Sequence, residues 1–434
     1  MMHRMLWLIL LALSFGVQAQ ESPIGFEPTP DPPPLRDLDA IVRKGKVWST
    51  TPAEAEKAWA DYGFTWTDDH RTSARSVYPS LVFRDCPVVE ALAYFEDGHC
   101  SSFTYNIYTR GDIGDVQAEP FRKVLGIVEE AVTGFMKTKP RDLKNFGTEG
   151  IDKEAKVWAQ AHLAVQLEWS ITDEGGRGER PQFMRLRVFP AENGTVSLVQ
   201  RGPERVRMTA LRQNLVKAEN GDVYVGNVPM VDQGDKGYCA SAVTERILRY
   251  YGRNVDQHEI AQISQSGSNG TTQELLVQGI KENASKLGLK IQQLDALDER
   301  EYKAMVRAYN RIAKAKDIPQ LSDSTIRSGY AMIQMNVPEM IEARASTTNY
   351  KKFHKEVLEN IKRGVPITWI VMLGRIREDP PVGSGGHMRL IIGYNEETDA
   401  LLYTDTWGQG HELKRLPMPD AYCMTLAYLL MLPK

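Results

Sequence analysis

Four side chains with complementary chemistry stand at the edges of secondary-structure elements in this 434-residue chain. Cys239 closes the loop Val228-Pro229-Met230-Val231-Asp232-Gln233-Gly234-Asp235-Lys236-Gly237-Tyr238 and opens a run that reads as a helix. A thiol at a helix N-terminus feels the positive end of the helix dipole, which raises its thiolate fraction, and the thiolate is the form that attacks carbonyl carbon. Six residues upstream, Gln233 carries an amide able to donate a hydrogen bond to a developing oxyanion. Far downstream His387 opens the apolar strand that continues Met388-Arg389-Leu390-Ile391-Ile392-Gly393-Tyr394, and Asp405 ends the next strand. Nucleophile, base, orienter and oxyanion donor are therefore all present. Taken singly, each residue has a plainer reading: a cysteine on an apolar helix is usually a small core residue, and a lone histidine at a strand start is usually structural. Their occurrence in one chain, each at an element boundary, is what favours catalysis.

These residues carry a family resemblance. Val228 to Gly252, together with Gly385 to Gly408, resembles papain-like cysteine peptidases, and within them the branch of bacterial double-glycine leader peptidases. The order in that branch is glutamine, cysteine six residues on, a distant histidine, then an aspartate, and Gln233, Cys239, His387 and Asp405 stand in that order. Where papain-type enzymes carry Cys-Gly-Ser-Cys-Trp, this chain has Gly237-Tyr238-Cys239-Ala240-Ser241. The resemblance implies a peptide or protein substrate and those four residues as the catalytic set. Two other outcomes use the same fold: transglutaminase-like or deamidase acyl transfer through the same residues, and an inactive envelope-binding protein.

Elements that must position these residues are readable nearby. A helix is expected over Tyr238–Tyr251, stopped by Gly252, and Asp256 with Glu259 has the form of a capping box for a helix through Ile263. Further helices are expected after Thr271-Thr272 to near Gly288, over Asp298–Lys316 and over Tyr350–Lys362. Strands cluster at the end: Ile367–Leu373, His387–Tyr394, Leu401–Asp405 and Met424–Leu432. Helices first and an antiparallel sheet last is the papain-like order, so the expected class is α+β, with a peptidase domain over residues 222–434. The glycines of Asp379–Gly386, just before His387, suit a lid or the close approach of a substrate backbone.

A smaller α+β accessory domain of unassigned role is expected over residues 36–217. Its pattern is a helix at Pro52–Tyr62, short strands at Phe64–Thr67, Leu81–Phe83, Ala91–Phe95 and Ser102–Tyr108, and an amphipathic helix at Pro120–Lys137. Strands then resume at Leu163–Ile171, Phe183–Phe189 and Thr195–Gln200, giving one main helix against an antiparallel sheet. Ahead of it, residues 1–19 read as a signal peptide, with His3 and Arg4 before an apolar run and Val17-Gln18-Ala19 as the cleavage signal. Residues 20–35 read as a proline-rich tether. The expected location is exported, periplasmic or secreted in a bacterium, with no membrane span in the mature chain. Export favours disulfides, and Cys86 with Cys100 is the candidate pair. Closing that loop of about 15 residues would stabilise by about 3 kcal/mol. Cys423 is then left as a buried thiol. A net charge of −3 offers no field for nucleic acid. With no phosphate loop and no zinc spacing, no cofactor is expected.

Overall fold

The computed structural model describes residues 33–43, 46–143, 151–173, 178–191, 206–263, 278, 281–282, 284, 287–322 and 331–434. The expected signal peptide, most of the tether, the strand at Thr195–Gln200 and most of the helix before Gly288 lie outside them. The chain divides into two compact units, the first covering residues 1–201 with Gly234–Tyr238 and Ala261–Thr271, the second the remainder.

In the first unit, helix α1 (Pro52–Ala58) starts with a capping box: Thr51 Oγ1 accepts from Glu54 N–H, and Glu54 accepts from Thr51 N–H at 2.9 Å. The strands are β1 (Thr65–Trp66), β2 (Ser73–Ser76), β3 (Glu90–Glu96) and β4 (His99–Thr109), then β5 (Arg141–Asp142), β6 (Glu154–Ala159), β7 (Ala164–Asp173) and β8 (Glu179–Phe189). They form one antiparallel sheet in the order β1-β2-β3-β4-β8-β7-β6-β5. Helix α2 (Ala118–Met136) packs on β6, β7 and β8. Its buried residues Phe121, Val124, Val128, Val132 and Met136 recur every three or four positions, the stripe that a helix on a sheet requires. Trp158 of β6 is fully buried beneath it and donates its indole N–H to Thr133 at 3.0 Å. Burying a side chain of that size contributes about 3 kcal/mol.

The expected bridge between Cys86 and Cys100 is corrected by the structure. Both are free thiols. Cys86 sits in a small three-stranded sheet with Arg36–Asp37 and Leu81–Phe83, whereas Cys100 lies in β4 paired with Phe95. Each packs as an apolar residue in the same core, and burial pushes each thiol up to about 12.

The second unit opens with β9 (Leu215–Lys217) and β10 (Asp222–Val225), followed by α3 (Cys239–Tyr250) and α4 (Gln257–Ile263), whose last residues count with the first unit. Next come β11 (Leu289–Ala296), α5 (Glu299–Ala315), α6 (Val337–Ala345) and α7 (Thr348–Lys362). The chain finishes with β12 (Ile367–Leu373), β13 (Gly385–Asn395), β14 (Ala400–Thr404), β15 (Lys414–Pro417), α8 (Met418–Met424) and β16 (Thr425–Pro433). The sheet order is β9-β10-β13-β12-β16-β11, with β14 on β13 and β15 on β14, and the pairs are antiparallel. Asp298 caps α5 through Glu301 N–H at 2.8 Å, and Thr347 caps α7 through Tyr350 N–H at 3.2 Å. Gly252 has φ +78° after α3, the left-handed stop expected of a glycine there. Asp256 caps α4 by accepting from His258 N–H at 2.8 Å.

In β12 and β13 successive side chains are buried, so both faces of these strands are covered. Helices α3 and α7 pack on β13, the strand that carries His387. Gly393 is required where β10 meets β13, because a Cβ there would lie 2.6 Å from Val223 O. The last strand, expected over Met424–Leu432, is β16 at Thr425–Pro433; ahead of it Pro417 and Pro419 begin the helical turn of α8, in which Cys423 is a buried free thiol. No described helix is long and apolar enough to cross a membrane.

Candidate active site

Cys239 is the first residue of α3 and is half-buried. From Ala240 to Leu248 every side chain of the helix is buried. The helix end is therefore fixed in the core while the thiol keeps access to solvent. Arg246, two turns on, anchors it: Nε donates to Pro229 O at 2.7 Å, Nη2 to Thr404 Oγ1 at 2.7 Å, and Nη1 to the Asp405 carbonyl. One guanidinium thus fastens the nucleophile helix to the strand end that bears the acid.

His387, in β13, places Nε2 2.6 Å from Asp405 Oδ1. With Nε2 on Asp405, Nδ1 is the ring nitrogen left for the Cys239 thiol, whose interaction with His387 helps to raise the ring's pKa. Asp405 follows directly on β14, which pairs with β13 from Leu390↔Thr404 onward. Its Oδ1 also accepts from Thr406 N–H at 2.8 Å, and its own N–H donates to His411 O at 2.9 Å. Trp407 lies flat on the His387 ring, with centroids 4.5 Å apart and planes 14° apart. His411 meets the Trp407 ring edge-on at 5.5 Å, so it backs the tryptophan and is not set beside the thiol.

The electrostatics favour an ion pair. Burial alone would raise the Cys239 thiol, but the hydrogen bond and charge of His387, with the N–H groups of Met388 and Ala240, outweigh it and lower its pKa. Burial likewise works against a charged His387, yet Asp405 and Cys239 together raise it to about 9. Asp405 is held down to about 2: burial opposes this, and His387, Arg389 and Thr406 N–H overcome it. These shifts all favour the combination of thiolate, imidazolium and carboxylate.

Gln233 belongs to the same unit and is tied to the segment after Asp405. Its N–H donates to Thr406 O at 2.8 Å, and its side-chain oxygen accepts from Thr406 Oγ1 at 2.6 Å. With the amide oxygen held on Thr406, the Nε2 end is turned away from it as a donor. The structure thus brings Cys239, His387 and Asp405 into contact and ties Gln233 to Thr406 beside them. Sequence reasoning missed Thr406, Trp407, Arg246 and Arg389. Arg389 stands two residues after His387 in β13, a spacing that puts both on one side of the strand, while Trp407 follows Asp405 by two in the loop after β14. Arg246 lies far from both in sequence and had no local signal. A Cβ added at Gly385 or Gly386 would meet nothing within 4 Å, so there is room beside the base. No group of three or more His, Cys, Asp or Glu side chains suited to a metal occurs among the described residues.

Residues 225–424 match the model of the Peptidase_C39 like family. Among solved structures, the chain is similar to the peptidase domain of Streptococcus ComA, a bi-functional ABC transporter involved in a quorum-sensing pathway. That match has 15% identity and a TM-score of 0.25, and covers 48% of this chain and 100% of the other. It is also similar to xylellain, a cysteine protease from Xylella fastidiosa, at 13% identity, over 54% of this chain and 92% of that one, with a TM-score of 0.27. No curated protein matches. On that match, residues 225–424 are similar to peptidases of the C39-like kind.

Proposed function

We propose that the protein is an exported cysteine peptidase that hydrolyses peptide bonds with Cys239 as nucleophile, His387 as base and acid, Asp405 as orienter and Gln233 as oxyanion donor. The observation that carries the proposal is the position of His387, whose Nε2 lies 2.6 Å from Asp405 Oδ1 and whose charge is coupled to Cys239. The Cys239 thiolate adds to the substrate carbonyl carbon, and the carbonyl oxygen takes up the negative charge. The Gln233 amide and the Cys239 N–H at the start of α3 are the donors for that oxyanion. The His387 imidazolium then protonates the departing amine as the C–N bond breaks, leaving a thioester. Neutral His387 takes a proton from water, whose oxygen attacks the thioester and releases acid and thiolate. Asp405 keeps the imidazole in one orientation throughout.

Mass spectrometry of unfolded proteins and peptide mixtures incubated with the mature protein tests this reading. Peptide fragments are expected, and Cys239→Ala should slow their appearance by at least about 10³-fold. Equal cleavage by Cys239→Ala would contradict it. Adding hydroxylamine distinguishes hydrolysis from acyl transfer, since a transferase would yield mainly hydroxamates. Export is checked by the N-terminus of the protein recovered outside the bacterial cytoplasm, expected at Gln20.

A further inference from the structure

Arg389 is fully buried, two residues after His387 on β13, and alternate residues of a strand face the same way. The two side chains consequently converge on one carboxylate. His387 Nε2 meets Asp405 Oδ1 at 2.6 Å, and Arg389 Nε meets Asp405 Oδ2 at 2.6 Å. The other side of the guanidinium is occupied: Nη1 lies 2.8 Å from Glu378 Oε2, an oxygen that also accepts from the Tyr403 hydroxyl. Its face lies 4.8 Å from the Tyr403 ring centre and 5.4 Å from that of Trp407, the ring stacked on His387. Other charges around Asp405 come from Arg246 on α3 and from Glu412 and Lys414 in the segment entering β15.

We infer that Arg389 is a positioning residue: clamped between Glu378 and Asp405, it fixes the rotation of the Asp405 carboxylate so that Oδ1 stays aimed at His387. The inference rests on the Cys239–His387–Asp405 reading proposed above. A carboxylate gripped through one oxygen can pivot about its Cβ–Cγ bond. Gripped through both, by groups on one strand, it has a single setting. Glu378 begins the loop that leads to the base, so the same clamp also fixes the start of that loop relative to the acid.

Arg389→Met alone leaves Glu378 as a buried carboxylate without its cation and is liable to unfold the domain. The informative variant is Arg389→Met with Glu378→Gln. It removes one positive and one negative charge together and keeps an acceptor for Tyr403, so a change reports position more than net charge. Two measurements are made on the full chain, with circular dichroism and thermal melting to establish the fold: the pH profile of Cys239 alkylation by iodoacetamide, and the downfield proton resonance of the His387–Asp405 hydrogen bond. The expected result is a folded double variant that loses or broadens that resonance and alkylates Cys239 at pH 6 about tenfold more slowly, equivalent to one pKa unit. A folded double variant with resonance and profile unchanged overturns the role of Arg389 while leaving the Cys–His reading standing. Absence of low-pH alkylation in the unsubstituted protein overturns the reading itself, and the inference with it.

Discussion

Glu168 in the first unit and Asp405 in the second are both fully buried carboxylates held by fully buried arginines that also lie over aromatic rings. Glu168 receives Arg185 Nε at 2.8 Å and Nη2 at 2.7 Å, Arg187 Nε at 3.1 Å and the Gln166 amide at 2.6 Å, with Lys153 4.0 Å away. Asp405 receives Arg389 and His387. Burial pushes both carboxylates up, and their cations bring both down to about 2. Both are depressed below their unfolded values, so the stability each lends is present above about pH 4 and lost as pH falls through about 2. The carboxylates are alike; their partners differ. Around Glu168 the cations are arginines and a lysine, with no histidine among them. At Asp405 one cation is a histidine whose other nitrogen serves a half-buried thiol. A buried ion cluster becomes a candidate site when one partner can move a proton to a group that solvent can reach.

The largest test of that contrast is the paired substitution of the acids by their amides. Asp405→Asn should lower peptidase activity by about 10⁴-fold while the protein still melts cooperatively, because an amide neither stabilises the imidazolium nor fixes its tautomer. Glu168→Gln should do the opposite. Turnover per folded molecule is unchanged, and urea denaturation shows a loss of about 3–5 kcal/mol, the cost of leaving buried cations uncompensated. If Glu168→Gln lowered the rate of the folded fraction, the division between structural and chemical clusters would fail. Gln233→Ala comes next, with a loss of about 10²–10³-fold in kcat and little change in KM, as for a donor that acts in the transition state. Thr406→Val should have the smallest effect. It removes the hydroxyl that holds the Gln233 oxygen at 2.6 Å, an interaction worth about 1 kcal/mol, so kcat should fall roughly fivefold. An effect of Thr406→Val as large as that of Gln233→Ala would mean that Thr406 does more than orient the amide.

Legibility in the sequence followed how local each cause was. Cys239, His387 and Asp405 could be picked out because each sits at an element boundary with glycines or polar residues beside an apolar run. Gly252 and the caps at Asp298 and Thr347 obey short-range backbone rules, so α3, α5 and α7 fall within a few residues of the expected ranges. Strand β2, Ser-Ala-Arg-Ser, has none of the β-branched or aromatic residues that announce a strand; its place is set by pairing with β3. Arg246 and Arg389 carried no signal, since nothing near them in sequence shows that Asp405 and Glu378 will meet them in the core. Cys86 and Cys100 were misjudged for the converse reason: separation along the chain says little about whether two strands face their thiols to each other, and these thiols lie in different sheets.

The measurement that bears most directly on the Cys–His pair is the pH dependence of Cys239 alkylation, followed by mass spectrometry in the intact protein, in His387→Ala and in unfolded protein. The lowered thiol and the histidine at about 9 set the signs. Thiolate should appear well below the unfolded pKa of about 8.5. The imidazolium that supports it is complete below the unfolded histidine value of about 6.5 and is lost as pH rises through about 9, so a second inflection should appear there. His387→Ala should erase both features and leave a single titration at or above the unfolded value. A thiol that titrates identically with and without His387 would contradict the ion pair and the peptidase mechanism built on it.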